Sequence, residues 1–139
     1  MWDYEIERLL DYNYSFIGCY PHDLLPHIKR KCNKSIIINT ANSDKIGEHW
    51  VAMKMIKDKC VNFDSYGLEI INENIKKFAK IYKNVIYSTE CIQNIESGKC
   101  GEFCIAFIKN VHCLQSYEKF INRFSENNYE NDIIVNELI

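Results

Sequence analysis

Apolar positions along this chain follow two periods, and the switches between them mark out its elements. Residues 3–10 place Ile6, Leu9 and Leu10 on one helical face, with Asp3 as the candidate cap. Phe16 to Tyr20 is a short extended run ending at Pro21, and Ser35-Ile-Ile-Ile-Asn39 is a β-branched run that predicts a buried strand. After a polar loop, Thr40 to Gly47, residues 49–55 alternate. Trp50, Ala52 and Lys54 fall on one side, Val51, Met53 and Met55 on the other. Cys60-Val-Asn-Phe63 predicts a second strand, joined to the first by a hairpin through Ile56 to Lys59. Asn72 to Ile81 returns to the helical period, with Ile71, Ile75, Phe78 and Ala79 inward and Lys76, Lys77 and Lys80 outward. Val85 to Tyr87 predicts another strand. The strongest helical signal runs from Cys100 to Leu114, where Phe103, Phe107, Val111 and Leu114 share a face. Ser116 to Phe124 predicts a further short helix, and Asn127 to Ile139 carries no decisive pattern. The sum is α+β, a small mixed, antiparallel-rich sheet packed by helices, in one domain spanning residues 1–139.

Composition narrows the class. With 139 residues, 47% of them hydrophobic and 13% aromatic, the chain can bury one core and does not read as disordered. A net charge of −2 gives no overall attraction to nucleic acid. The local basic run Lys29, Arg30, Lys31 and Lys34 reads first as a solvated face or loop, with a contact to DNA or an acidic partner as the alternative. Residues Met1 to Asp11 are charged throughout and lack the apolar stretch of a secretory signal, and no segment approaches the length of a membrane span. The seven cysteines, Cys19, Cys32, Cys60, Cys91, Cys100, Cys104 and Cys113, are odd in number, so complete internal pairing is impossible. Mostly free thiols in a reducing, intracellular compartment are therefore expected, in a monomer with no membrane partner. No Cys-x-x-Cys pair occurs, and neither the spacing of Cys100 and Cys104 nor the adjoining His112 and Cys113 matches paired zinc ligands, so no metal is expected.

Three segments carry the residue types of thiol chemistry. His49 opens a predicted strand in Gly47-Glu-His-Trp-Val-Ala52. Asp64 follows the paired strand in Phe63-Asp-Ser-Tyr-Gly67. Cys100 opens the strongest helix at the end of Gln93-Asn-Ile-Glu-Ser-Gly-Lys-Cys100. A nucleophilic sulfur must be thiolate, and the free N–H groups of a helix start favour that anion. An imidazole takes the thiol proton and returns it to the leaving amine, and a carboxylate on the other ring nitrogen fixes its tautomer. A hairpin brings His49 and Asp64 to the same sheet end. Gln93 and the Cys100 backbone N–H are candidate donors to an oxyanion. Gly47, Glu48, Trp50, Gly98 and Gly101 are the candidate substrate-contacting positions, the glycines because they admit a close backbone. Each signal is weak alone: a lone His49 beside Trp50 is more often a packed core histidine, Asp64 is most often a turn former, and Cys100 alone could be any buried thiol.

Together, in the order His49-Trp50, Asp64, Gln93 and Cys100-Gly-x-Phe-Cys104, these segments resemble the adenovirus proteinase (adenain) group of cysteine proteases, with relatives in virophages and Maverick/Polinton elements. The wider superfamily includes the SUMO-specific and ubiquitin-like-protein proteases. Phe16-Ile-Gly-Cys-Tyr20, with Asp23 and Pro26, looks like the family's N-terminal segment, so the resemblance runs from about Phe16 to Phe107. It implies Cys100 as nucleophile, His49 as base, Asp64 as third member and Gln93 as oxyanion donor. It also implies cleavage of viral precursor proteins at Gly-containing sites during virion maturation, in the host cytoplasm or nucleus and in the virion. The family's peptide and DNA activators are not supported by this sequence. The stretch Lys80-Ile-Tyr-Lys83 holds no cysteine where the adenovirus enzyme is tethered to its peptide, and the net charge is negative. The rival readings are a deconjugating isopeptidase for ubiquitin-like tails and a catalytically silent binding module.

Overall fold

The computed structural model describes residues 1–29, 33–43, 49–82 and 84–139. Its centre is an antiparallel meander of β2 (Lys34–Asn39), β3 (Trp50–Ile56) and β4 (Lys59–Phe63). Two edge strands join it in parallel, β1 (Phe16–Pro21) against β2 and β5 (Asn84–Tyr87) against β4, giving the order β1-β2-β3-β4-β5. The β3–β4 hairpin turns through Lys57 and Asp58, and Lys57 takes the left-handed φ of +56° that suits a two-residue turn.

Alternation along the strands divides the apolar side chains between two cores. On one face, Ile37, Trp50, Ala52, Val61 and Phe63 pack under α3 (Cys100–Asn110), with α1 (Asp3–Leu9) and α4 (Leu114–Ile121) beside it. Phe63 stacks on Phe107 at 4.9 Å, and Phe120 closes edge-on at 5.6 Å from Phe63. On the other face, Ile36, Ile38, Val51, Met53 and Met55 meet Ile75, Phe78 and Ala79 of α2 (Glu73–Ala79). The β2 and β3 runs read as nearly continuous apolar stretches because both faces are covered. Lys54 sits inside this pattern, buried, with its Nζ 3.4 Å from Ser15 Oγ; burial pulls its pKa down.

Some expectations shift. Ile71 is 82% exposed, because Asn72 caps α2 and leaves Ile71 outside the helix. Leu9 also faces out, since Ile6 and Leu10 take the core side of α1. The helix starting at Cys100 stops at Asn110, not Leu114. Asn110 Nδ2 donates to Ala106 O at 2.7 Å and Leu138 O at 3.0 Å, and Cys113 begins α4 with Ser116 Oγ accepting its N–H at 2.9 Å. The C-terminal segment forms α5 (Asn128–Ile134), capped by the Asn127 side chain, and a 3-10 turn that sends Val135 and Leu138 into the first core. The six described cysteines are all free; Cys32, like Arg30 and Lys31 of the basic run, lies outside the described residues. Among the described residues no helix is long and apolar enough to cross a membrane.

Candidate active site

The hairpin fixes one half of the site. His49 immediately precedes β3, and Asp64 immediately follows β4. Extending the Ala52↔Phe63 register past the strand ends sets His49 across from Tyr66 and diagonal to Asp64. The imidazole Nε2–H donates to Asp64 Oδ1 at 2.8 Å, and the ring stacks on Tyr66 with centroids 4.8 Å apart. The same Oδ1 accepts the Tyr66 backbone N–H at 2.8 Å. Behind it, Ser88 Oγ accepts the Asp64 N–H at 2.8 Å and lies 3.0 Å from the Asp64 carbonyl. Gly67 completes the turn by donating its N–H to Asp64 O at 2.8 Å. Its φ is +65°, and a Cβ there would lie 2.6 Å from the backbone of Glu90, so only glycine fits.

Helix α3 supplies the other half. Cys100 is its first residue, where helical N–H groups lack intrahelical partners. With Nε2 held by Asp64, the imidazole presents Nδ1 to the sulfur. Burial resists ionisation of Cys100, but the His49 hydrogen bond, the Trp50 backbone N–H, the positive imidazolium and the Gly101 N–H outweigh it, and the thiol pKa falls below its ordinary value. Burial likewise disfavours a charged His49, yet hydrogen bonds and negative charge from Asp64 and Cys100 lift it to about 9. Each partner thus favours the other's charged form. Of the other described thiols, burial pushes Cys19, Cys60 and Cys104 upward, while hydrogen bonds with Ser116 lower the exposed Cys113.

Among the described residues Gln93 is linked to His49 only through Tyr66, whose ring stacks on the imidazole and whose hydroxyl accepts from the Gln93 amide, and Gln93 is 0% exposed. Ser65 Oγ donates to its Oε1, and Ser65 O accepts the Gln93 N–H at 3.1 Å. Its Nε2 donates to Ser97 O at 2.8 Å and to the Tyr66 hydroxyl at 3.2 Å. The predicted substrate-contacting positions separate. Gly98 faces open space. Gly101 is buried against Met1 and Ile6, with Met1 Sδ 3.1 Å from where a Cβ would stand, so its smallness serves packing at the start of α3. Trp50 is 8% exposed, and its indole N–H donates to Met1 O at 3.3 Å. Gly47 and Glu48 lie outside the described residues. A cavity of about 740 Å³ opens on the His49 side, lined by Asp64, Tyr66 and the apolar Leu68, Ile70 and Ile71. Among the described residues no group of three His, Cys, Asp or Glu is placed to hold a metal ion.

Sequence reasoning missed Tyr66, Ser65, Ser88 and Met1. Tyr66 and Ser65 stand inside the Asp64 segment, where the hairpin register carries a signal for Tyr66 facing His49. Nothing in the sequence points to Ser88 or Met1.

A thiol at a helix start, facing an imidazole held from behind by a carboxylate, is the arrangement of a cysteine peptidase. The chain belongs to the adenovirus endoprotease family, whose model matches residues 16–134. No curated protein sequence matches it. Two solved structures of the ASFV pS273R protease are similar in fold. The selenomethionine form aligns with a TM-score of 0.55 and 18% identity over 99% of this chain and 65% of that one. The other gives 0.52 and 19% over 93% and 61%. The chain therefore spans less than two thirds of the length of those enzymes.

Proposed function

We propose that this protein is a cysteine endopeptidase that cleaves viral precursor proteins at Gly-containing sites during virion maturation, with Cys100 as nucleophile, His49 as base, Asp64 as its orienting carboxylate and Gln93 in the oxyanion site. The observation that carries the reading is the Cys100–His49–Asp64 chain, in which thiol and imidazole each draw the other into its charged form. The Cys100 thiolate attacks the scissile carbonyl carbon, and the C=O pair moves onto oxygen. The tetrahedral intermediate collapses as His49 Nδ1–H protonates the departing amine, leaving a thioester. Neutral His49 then takes a proton from water, which attacks the thioester and releases the acid and the thiolate. The Cys100 backbone N–H, free at the first position of α3, supports the oxyanion from the helix side. The viral, maturation-type substrate rests on the family description and on the fold shared with the ASFV pS273R protease.

The test is labelling with a thiol-directed peptide probe carrying Gly-Gly before its reactive group, followed by peptide mapping. Cys100 should react alone and fast at neutral pH, and His49→Ala should slow it by at least a hundredfold. Slow, equal labelling of Cys91, Cys100 and Cys113 would reject the assignment.

A further inference from the structure

Lys54 stands where the alternation of β3 calls for an apolar residue. It lies between Ala52 and Ile56, which share its side of the strand and belong to the core under α3. Its cross-strand neighbours, Ser35 and Val61, are uncharged. The residue is 4% exposed, yet among the described residues its ammonium makes no ion pair. Its hydrogen bond to Ser15 Oγ, at 3.4 Å, is long for a charged donor. Ser15 Oγ is already engaged, 2.7 Å from Asn13 Oδ1 and 3.0 Å from Ser35 Oγ. An ammonium carries three donors, and those not spent on Ser15 are left to the cavity that Lys54 lines. That cavity, of about 270 Å³, is bounded by Tyr12, Asn13, Tyr14, Ser15, Asn33 and His112. None of these is acidic, and the Tyr, Asn and His side chains all carry hydrogen-bond donors.

We propose that this cavity is a binding site for a carboxylate, with the Lys54 ammonium as its charged donor and the Asn33 and His112 side chains beside it. A buried charge is costly unless it is paired, and an apolar residue would satisfy the strand pattern at this position. A carboxylate supplies the missing partner. One fixed positive charge matches a monoanion, whereas a phosphomonoester carries about −1.5 to −2 at pH 7 and leaves charge over. Burial pulls the Lys54 pKa down, and an anion at the ammonium works in the opposite direction. The carboxylate comes either from a free acid or from an acidic side chain of a polypeptide. In the second case Tyr12 and Tyr14, 97% and 96% exposed, offer two rings on which the flanking main chain can lie. The site is separate from the catalytic one. Lys54 follows His49 by five positions along an extended chain, about 17 Å at the strand rise, and the proposal does not rest on the assignment of Cys100.

The experiment titrates the 15N-labelled full chain at neutral pH with sodium acetate, ionic strength being held constant with sodium chloride, and follows amide shifts. The amides of Ser15, Asn33, Lys54 and His112 should move together along one saturable isotherm. Lys54→Met, which keeps the length of the side chain and removes the buried charge, should weaken acetate binding about tenfold or more, the scale of one hydrogen bond to a charged group. The Lys54 Nζ resonance of the wild type should follow the same isotherm, a readout that stands even where the variant fails to fold. Two further probes, the peptides Ac-Ala-Glu-Ala-NH2 and Ac-Ala-Gln-Ala-NH2, distinguish the sources. Tighter binding of the Glu peptide than of acetate, with shifts at Tyr12 and Tyr14, assigns the site to acidic polypeptides; equal binding assigns it to free acids, and either result upholds it. Shifts that do not saturate, shifts that are the same in Lys54→Met, a Gln peptide that binds as well as the Glu peptide, or inorganic phosphate that binds more tightly than acetate would each overturn the proposal.

Discussion

Replacing Asp64 by Asn isolates what the carboxylate's charge contributes. The rise of His49 from 6.5 to about 9 corresponds to about 3 kcal/mol of preference for the charged ring. Part of that comes from Cys100, and burial opposes it. An adjacent carboxylate typically accounts for about one to three pH units. The geometry of the replacement is constrained. Oδ1 receives two donors, the His49 Nε2–H and the Tyr66 backbone N–H, both at 2.8 Å. In Asp64→Asn, an amide nitrogen at that place would face two N–H groups, so the new side chain must present its carbonyl oxygen. The tautomer and tilt of His49 are then kept, and only the charge is lost.

The sign follows from both partners. His49, with its pKa raised, holds its proton fully below 6.5 and loses it as pH rises through about 9. Cys100, with its pKa lowered, is thiolate above its ordinary value and loses that form only as pH falls through the depressed one. Turnover of a Gly-Gly fluorogenic peptide should therefore decline on the alkaline side near pH 9 in the wild type. In Asp64→Asn that limb should move down by about one to two pH units, so kcat/KM should drop about 10- to 100-fold above pH 9 but at most about twofold at pH 7. An unmoved alkaline limb would refute the coupling. A loss of about 10,000-fold, the scale of a wrong tautomer, would refute the claim that Tyr66 N–H dictates the orientation of the new amide.

Other outcomes follow from single contacts. Cys100→Ala should abolish peptide turnover while the thermal midpoint stays within about 3 °C of wild type; a large fall in the midpoint would place the thiol in the packing instead. Gly67→Ala should cost at least about 2 kcal/mol in urea denaturation, because the new Cβ meets Glu90 backbone at 2.6 Å and the φ is +65°. A loss under about 0.5 kcal/mol would show that the turn shifts freely. Phe107→Ala, which removes a fully buried ring between Phe63 and Phe120, should cost about 3–5 kcal/mol by the same assay. Asn72→Ala, which removes the cap on the Ile75 N–H, should cost only about 1 kcal/mol.

Much of the fold was legible because each strand and helix buries a patterned face. β3 alternates between two cores, and Trp50, Ala52 and Val51, Met53 go to the sides their parity predicts. The limits lie where a side chain, not a pattern, decides. Asn110 ends α3 by turning back to Ala106 O and across to Leu138 O, the second a contact between residues far apart in sequence. The C-terminal segment gave no period because only Val135 and Leu138 of its apolar residues are buried in the core, while Ile133 and Ile139 face solvent. The parallel docking of β1 and β5 is likewise invisible locally, since parallel partners carry no turn signal between them.

The site divides along the same line. His49 and Asp64 were readable together because one hairpin register joins them, and Cys100 because a helix start is itself a sequence signal. Gln93 could be placed in order but not in orientation, since Ser65, Ser97 and Tyr66 decide where its amide points. The residues around Asp64 show why that matters. Asp64 accepts from the His49 ring, Ser65 fixes the Gln93 oxygen, Tyr66 touches both the imidazole and the Gln93 nitrogen, and Gly67 lets the turn lie against Glu90. Four consecutive residues thus set the geometry around both His49 and Gln93 at once. A shift of this turn would move both together, so substitutions within it should be non-additive with substitutions at His49 and Gln93, whereas changes in the remote α2 core should add independently.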